Sequence, residues 1–277
     1  MISVIVAVYN QLAVNKIFYE NLQKYTRNPF ELIIIDNNST DGSREYYKSV
    51  GATVIENDQN YSYPYCQNQG IRVAKYDVLA FLNNDIVVAT DWDAKILETM
   101  QAHDLDVITT CGIERLETQE ETQRYSRRWK GIKNFVGAVA RNGFTFKLMA
   151  KLMYGNWEKF CAQRYQRFGT SIIEGFAGNS VIMTRRGIEK VGLWDERIQA
   201  ADFDLFIRSK KRHEEHKDVK PMHAALGVFN HHFIRITLKS KPPVFADASK
   251  MISLEDKWTK EELEYYKPSF KITPAKV

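Results

Sequence analysis

YDVLAFLNNDIVV, from Tyr76 to Val88, decides how the rest of the chain is read. Val78, Leu79, Ala80, Phe81 and Leu82 form a continuous apolar run, the pattern of a strand buried on both faces, and the run stops at Asn83, Asn84 and Asp85. A carboxylate therefore stands where a buried strand ends. In open α/β sheets ligands bind in the crevice beyond the carboxyl ends of the strands, so the triplet is a candidate site. Asn-Asn-Asp would equally make a simple turn, because these side chains bond readily to their own backbone.

Toward the N-terminus the same pattern recurs. Ile2 to Val8 predicts a first strand, ended by Tyr9-Asn10 before a helix over 14–25. Phe30 to Ile35 predicts a second strand that ends at Asp36. The capping and turn residues Asn37 to Gly42 then open a helix over 43–50. Val54 to Glu56 reads as a short third strand, Tyr61 to Tyr65 as an aromatic loop broken by Pro64, and Gln67 to Lys75 as a helix leading into the central strand. Three strand-helix units in about 80 residues imply parallel pairing with right-handed crossovers, half of a doubly wound sheet. Two of the strands end in aspartate-bearing turns, which would converge on one ligand. Neither standard glycine-rich phosphate loop is present, which argues against a dinucleotide oxidoreductase or an ATPase.

Toward the C-terminus a helix over 92–103 and the strand Val107 to Cys111 follow, and then the character changes. Between Arg124 and Phe168 eleven Lys and Arg face a single acid, Glu158, a local balance of +10 within a net charge of +5. Such a block suits an anionic partner: a membrane surface, a lipid-linked phosphate or nucleic acid. Ile132, Phe135, Val136 and Val139 recur at helical spacing, followed by apolar residues from Phe144 to Tyr154. This reads as a helical insertion that packs on the sheet with its lysines solvated, or as an amphipathic face for a membrane or an anionic acceptor. Beyond it lie the small-residue run Gly175 to Ser180, a strand over 181–184, and a turn over 192–196. A helix opening at Ala201 carries Asp202 and Asp204 in its first turn, where acids also serve as caps. Asn230, His231 and His232 sit in a strand-like frame over 227–237. Pro242-Pro243 marks a boundary, and a terminal helix over 253–266 offers Leu254, Trp258 and Leu263 as apolar contacts.

Composition sets outer bounds. With 277 residues, 44% hydrophobic and 26% charged, the chain is globular and can bury a sizeable core in one large α/β domain or two small ones. Residues 1–9 lead straight into a turn without a basic start, so they read as a strand rather than a signal peptide. No apolar run approaches 18 residues. Cys66, Cys111 and Cys161 are odd in number and widely spaced, which suits free thiols in a reducing compartment.

The ordered set VIVAVYN, ELIIIDNNSTDGS, CQNQG, VLAFLNNDI, GFAGNSVIMTRRGIEKVGLWDE and ADFDLFIR resembles the family 2 glycosyltransferases of the GT-A fold over residues 1–236. The resemblance implies a Rossmann-like, mostly parallel sheet flanked by helices, with a basic helical insertion at about 115–170 and a C-terminal extension over 237–277 ending in a helix. It implies an enzyme that moves a sugar from a nucleotide diphosphate donor, UDP being the family's commonest, to a hydroxyl with inversion. Carried over by position, Ala7, Tyr9, Asn10 and Asp36 line the nucleoside pocket, Asn68 and Gly70 pack beside the nucleotide, and Asn83 and Asn84 face the donor. Asp85 matches the last acid of the Asp-x-Asp metal motif, with Asn83 in place of its first. Oxygen ligands suit Mn²⁺ or Mg²⁺, which stabilises a diphosphate leaving group, and His231 or His232 matches the late histidine that completes the site. Asp202 matches the general base that takes the acceptor proton. Ala201 replaces the family's preceding glutamate, and Asp204 is an alternative base.

The resulting expectation is a cytoplasmic, metal-dependent transferase of glycan or cell-surface polysaccharide assembly. Its acceptor is a glycan or lipid-linked, and residues 124–168 lie at the acceptor or at the inner face of the membrane. Two alternatives keep the fold. The basic block could hold nucleic acid in a phage-type DNA-base glycosyltransferase, or the domain could bind nucleotide sugar without turnover, as Asn83 and Ala201 suggest.

Overall fold

The computed structural model describes residues 1–136, 143–234 and 243–275. Val139 and Arg141 of the basic block, the expected boundary after residue 236 and Pro242 lie outside them. The chain opens as an alternation of strands β1 (Ile2–Val8), β2 (Phe30–Asp36), β3 (Thr53–Glu56) and β4 (Val78–Leu82) with helices α1 (Leu12–Tyr25), α2 (Ser43–Ser49) and α3 (Tyr63–Val73). It continues through β5 (Ile86–Val87), α4 (Trp92–His103), β6 (Val107–Cys111), the helices α5 (Gln119–Val136), α6 (Gly143–Tyr154) and α7 (Trp157–Phe168), β7 (Ile172–Glu174) and β8 (Ser180–Thr184). Then come α8 (Arg185–Val191), α9 (Ala201–His216), β9 (His223–Phe229), β10 (His231–His232), α10 (Leu254–Lys257), α11 (Lys260–Tyr265) and β11 (Ile272–Thr273).

Nine strands form one sheet in the order β11-β7-β9-β6-β8-β4-β1-β2-β3. β3, β2, β1 and β4 pair in parallel, as consecutive crossovers require, while β8 runs against both β4 and β6. Beyond β8, β6 and β9 are parallel and β7 is antiparallel to its neighbours, so only β8 and β7 oppose the common direction. Strand alternation sends Val4, Val6 and Ile34 to one face, against Phe18 and Leu22 of α1 and Trp92 and Ile96 of α4. Ile5, Ile33 and Phe81 go to the other, against Cys66 and Ile71 of α3 and Leu205 and Phe206 of α9. Such burial on both faces is why these strands read as unbroken apolar runs. Gly70 is where α3 crosses β1: a methyl carbon there would lie 2.3 Å from Ile5, so only glycine permits the approach.

Several expectations need correction. Pro64 does not break a loop but occupies the first turn of α3, where a missing N–H costs nothing, so the helix starts at Tyr63. The terminal helix over 253–266 is two short helices, each with its own capping box, from Ser253 and from Thr259. Between them Trp258 turns inward, 7% exposed, joining Leu254 and Leu263 on the α9 side of the sheet. β7 and β11, with three and two residues, carry no periodicity to read. The insertion is helical in its described parts, and Trp129, Phe146, Met149 and Met153 pack with Phe229 and Phe233. All three cysteines are buried free thiols. Among the described residues no helix is long and apolar enough to cross a membrane.

Candidate active site

The carboxyl ends of β1, β2 and β4 open onto a cleft of about 420 Å³, bordered by Ala7, Val8, Tyr9, Asn37, Asn83, Asn84, Asp85 and His232. Tyr61, Tyr63 and Phe245 add aromatic surface of the kind on which a nucleobase stacks. Phe245 arrives from far along the chain and is held by a set of bonds to the loop before α3. Asn60 Nδ2 donates to Pro243 O (2.8 Å), Ala246 N to Asn60 O (2.8 Å), and Ser62 Oγ to Asp247 Oδ2 (2.6 Å). Tyr61 is backed by Tyr65, the two rings stacked at 4.5 Å.

Of the expected donor-binding residues, Ala7, Tyr9, Asn83 and Asn84 border this cleft. Asn84 is braced from behind by Asn15, its Nδ2 donating to Asn15 Oδ1 at 2.7 Å. Asp36 is fully buried at the end of β2. Its Oδ1 accepts from Arg44 (2.7 Å) and from Ser39 N (3.1 Å), while Oδ2 has no hydrogen-bond partner among the described residues. Asn10 adopts a left-handed backbone (φ 53°), and its Oδ1 accepts from Thr40 N, tying the turn after β1 to the turn after β2. Asn10, Asp36, Asn68 and Gly70 are not among the residues that border the cleft. Asn68 Nδ2 donates to Trp194 O and Glu196 Oε1, both at 2.9 Å, so it fixes the 192–196 turn, and Gly70 serves helix packing.

The two histidines part company. β10 pairs antiparallel with β5, placing His231 opposite Val87 and His232 opposite Ile86, and successive side chains of a strand point to opposite faces. His231 turns into the insertion, its ring 4.7 Å from Trp129 and 4.6 Å from Phe233, with Tyr154 Oη on its Nδ1. Burial, helped by the neighbouring His232 charge, pushes its pKa down to about 3, so it stays neutral. The structure therefore brings His232, and not His231, to Asp85, with His232 Nε2 3.1 Å from Asp85 Oδ1. On the far side of the ring, His232 Nδ1 contacts Glu114 Oε1, and Glu114 Oε2 accepts from Asn179 Nδ2. Burial opposes a charge on His232, but the two carboxylates outweigh it and raise the group to about 10.

Adjacent ligands of an octahedral ion bound at about 2.1 Å lie about 3 Å apart, so Asp85 Oδ1 and His232 Nε2 are spaced as neighbouring ligands. Among the described residues no group of three or more His, Cys, Asp or Glu could hold a metal. The donor set fits an ion that takes few protein ligands and completes its shell with phosphate and water. Glu114 was not legible in the sequence, where it is one of four glutamates between residues 114 and 121.

Asp202 stands at the start of α9 with its carboxylate against Gly178 of the small-residue run, where a methyl carbon would meet Oδ2 at 2.3 Å. Its Oδ1 is buried with no hydrogen-bond partner among the described residues. Burial raises its pKa to about 7, against a smaller downward pull from the His232 charge. Asp202 is not among the residues that border the cleft; the border residue Tyr63 lies within reach of its charge. Asp204, the alternative base, is fully buried with both oxygens engaged, by Arg208 Nε (2.7 Å), Trp258 Nε1 (2.9 Å) and Lys257 Nζ. The two acids of one helical turn therefore differ in duty. Asp204 anchors the C-terminal segment, and Asp202 is left with a buried oxygen that has no hydrogen-bond partner among the described residues.

This fold, with a cleft at the strand ends, is that of the GT-A glycosyltransferases. Residues 3–192 match the profile of Glycosyl transferase family 2, and the chain belongs to that family. Among similar proteins are glycosyltransferase AglE of Haloferax volcanii, 28% identical over 39% of this chain and 38% of the relative, and an uncharacterized glycosyltransferase of Haemophilus influenzae, 33% identical over 36% and 35%. The alignments thus span less than two-fifths of either relative. A solved structure of similar fold is the mannosyltransferase PcManGT from Pyrobaculum calidifontis in complex with GDP-Man and Mn²⁺. It is 14% identical, with a TM-score of 0.54 over 85% of this chain and 57% of that one.

Proposed function

We propose that the protein transfers a sugar from a nucleoside diphosphate donor to a hydroxyl of a glycan or lipid-linked acceptor, with inversion at the anomeric carbon. The observation that carries this reading is the pairing of a cis ligand set, Asp85 and His232, with a buried carboxylate, Asp202, whose Oδ1 lacks a partner. The aromatic side of the cleft takes the nucleobase, and the buried, unpartnered Oδ2 of Asp36, one residue before the border residue Asn37, is the acceptor for base or ribose. Asp85 and His232 would hold Mn²⁺ or Mg²⁺, which supplies charge stabilisation to the departing diphosphate. Glu114, accepting from Nδ1, orients the imidazole so that Nε2, once its proton is displaced, would present its lone pair to the ion. Asp202 takes the acceptor's proton as the hydroxyl oxygen bonds to the anomeric carbon. The bond from that carbon to the diphosphate oxygen breaks, and the electron pair leaves with the nucleoside diphosphate.

Asn83 does not break this scheme, because one carboxylate with one imidazole suffices for an ion that also binds phosphate. A thermal-shift panel of UDP, GDP, dTDP and CDP with and without Mn²⁺ tests the proposal, since a ligand of the native state raises Tm with occupancy. A Mn²⁺-dependent shift with one base is expected and names the donor. Shifts with none would remove the donor assignment, and binding without donor turnover would identify a nucleotide-sugar-binding domain that does not catalyse.

A further inference from the structure

The insertion leaves an outer face that the catalytic reading does not use. α5 and α6 lie side by side, with Arg128 Nη2 donating to Leu152 O at 2.8 Å, and their inner sides are fully engaged in the cluster around Phe229 and Phe233. Their outer sides carry large apolar residues in water. Phe135, one residue from the end of α5, is 81% exposed. Phe144, one residue into α6, is 75% exposed, and Leu152 is 45% exposed. Phe135 thus stands at the C-terminal end of α5 and Phe144 at the N-terminal end of α6, while Arg127, Arg128 and Lys130 are exposed along α5, where Arg124 is ion-paired to Glu121. The acids of these two helices, Glu120 and Glu121, stand in the first turn of α5, at the opposite end from the phenylalanines.

We propose that the paired helices α5 and α6 seat the protein on an anionic lipid bilayer, with Phe135 and Phe144 entering the boundary between headgroups and acyl chains and Arg127, Arg128 and Lys130 at the lipid phosphates. Charge complementarity selects an anionic occupant, because cations dominate the face and its acids lie at the far end. The exposed rings select a bilayer over nucleic acid: a duplex offers phosphates but no apolar phase for two phenylalanines and a leucine, whereas an interfacial helix buries such side chains about 5–10 Å deep. The surface is joined to the candidate site through short contacts. Trp129 of α5 and Tyr154 of α6 both pack on His231, the residue before His232.

The proposal stands apart from the catalytic reading, since its test needs neither donor nor metal. The full chain is sedimented with vesicles of phosphatidylcholine and with vesicles that also contain phosphatidylglycerol, at low and high salt. Wild type is expected on the anionic vesicles only, with release by salt. Phe135→Ser combined with Phe144→Ser, and separately Arg127→Glu combined with Lys130→Glu, should each weaken partitioning about tenfold or more. These side chains are exposed, so Tm should hold. In a second readout, Phe144→Trp should gain fluorescence that brominated acyl chains quench beyond the wild-type background. No vesicle binding, equal binding to both vesicle types, or undiminished binding by the serine variant would overturn the proposal. Salt-sensitive binding to duplex DNA in place of vesicles would overturn it in favour of a nucleic-acid surface.

Discussion

Gly178→Ala is the change that separates the position of Asp202 from its presence. The added methyl carbon would sit 2.3 Å from Asp202 Oδ2, and ordinary contact begins near 3.4 Å, so the carboxylate must move by about 1 Å. Backbone strain does not confuse the result, because Gly178 is not among the glycines with positive φ. A misplacement of about 1 Å at a reacting group costs on the order of a hundredfold in rate, about 2.7 kcal/mol of barrier. The assay is release of nucleoside diphosphate from the donor selected by the thermal-shift panel, with water or a glycan hydroxyl as acceptor. The expected outcome is kcat reduced about a hundredfold, donor KM within about twofold of wild type, and stability lowered by about 1–3 kcal/mol from the crowding. A kcat within about threefold of wild type would refute the reasoning, since the base would then tolerate a displacement that no base in contact with its substrate tolerates.

Asp202→Asn should lose about a hundredfold or more in turnover while keeping the nucleotide-induced Tm shift, and wild-type kcat should fall as pH drops through about 7. The same variant should be more stable than wild type at pH 8. The folded pKa lies above the unfolded one, so ionisation disfavours the native state, and the Tm gap should close as pH falls toward the unfolded carboxylate range near 3.8. Glu114→Gln should weaken Mn²⁺ binding in the presence of the nucleoside diphosphate about tenfold by Mn²⁺ electron paramagnetic resonance, with binding of the nucleotide alone unchanged. Because the metal must displace the proton of His232, wild-type Mn²⁺ affinity should rise with pH below about 10, by about tenfold per unit for one proton. Trp258→Ala, which removes a buried ring and the bond to Asp204, should cost about 3–5 kcal/mol in urea unfolding.

The floor of the cleft was legible because burial on both faces writes a strand as a continuous apolar run and its end as an abrupt change to Asn or Asp. β2 and β4 show this, β1 ends in Tyr9-Asn10, and with them came Tyr9, Asn83, Asn84 and Asp85. The sides were not legible. Phe245 borders the cleft only through bonds between Asn60, Ser62, Pro243 and Asp247, partners more than 180 positions apart in which nothing local announces a pairing. Asn68 matched a binding motif by position, yet its amide holds the 192–196 turn, a role that depends on where α3 lands. The terminal helix failed for a local reason: a buried Trp258 followed by a capping Thr259 ends one helix and starts another within an otherwise helical pattern.

The histidine pair shows what kind of information was missing. In a strand, facing is fixed once one residue is placed, and two adjacent positions always disagree. The sequence therefore required that one of His231 and His232 face away from Asp85, but the choice belongs to the pairing of β10 with β5, which brings His232 opposite Ile86. A slip of one residue in that pairing would exchange the two. His231, enclosed by Trp129, Tyr154 and Phe233, opposes the slip, because turning it outward would place His232, bound to two carboxylates, inside an aromatic cluster. Burying that charge without its partners costs several kcal/mol, so the packing of the insertion is what keeps the imidazole that faces Asp85 in register.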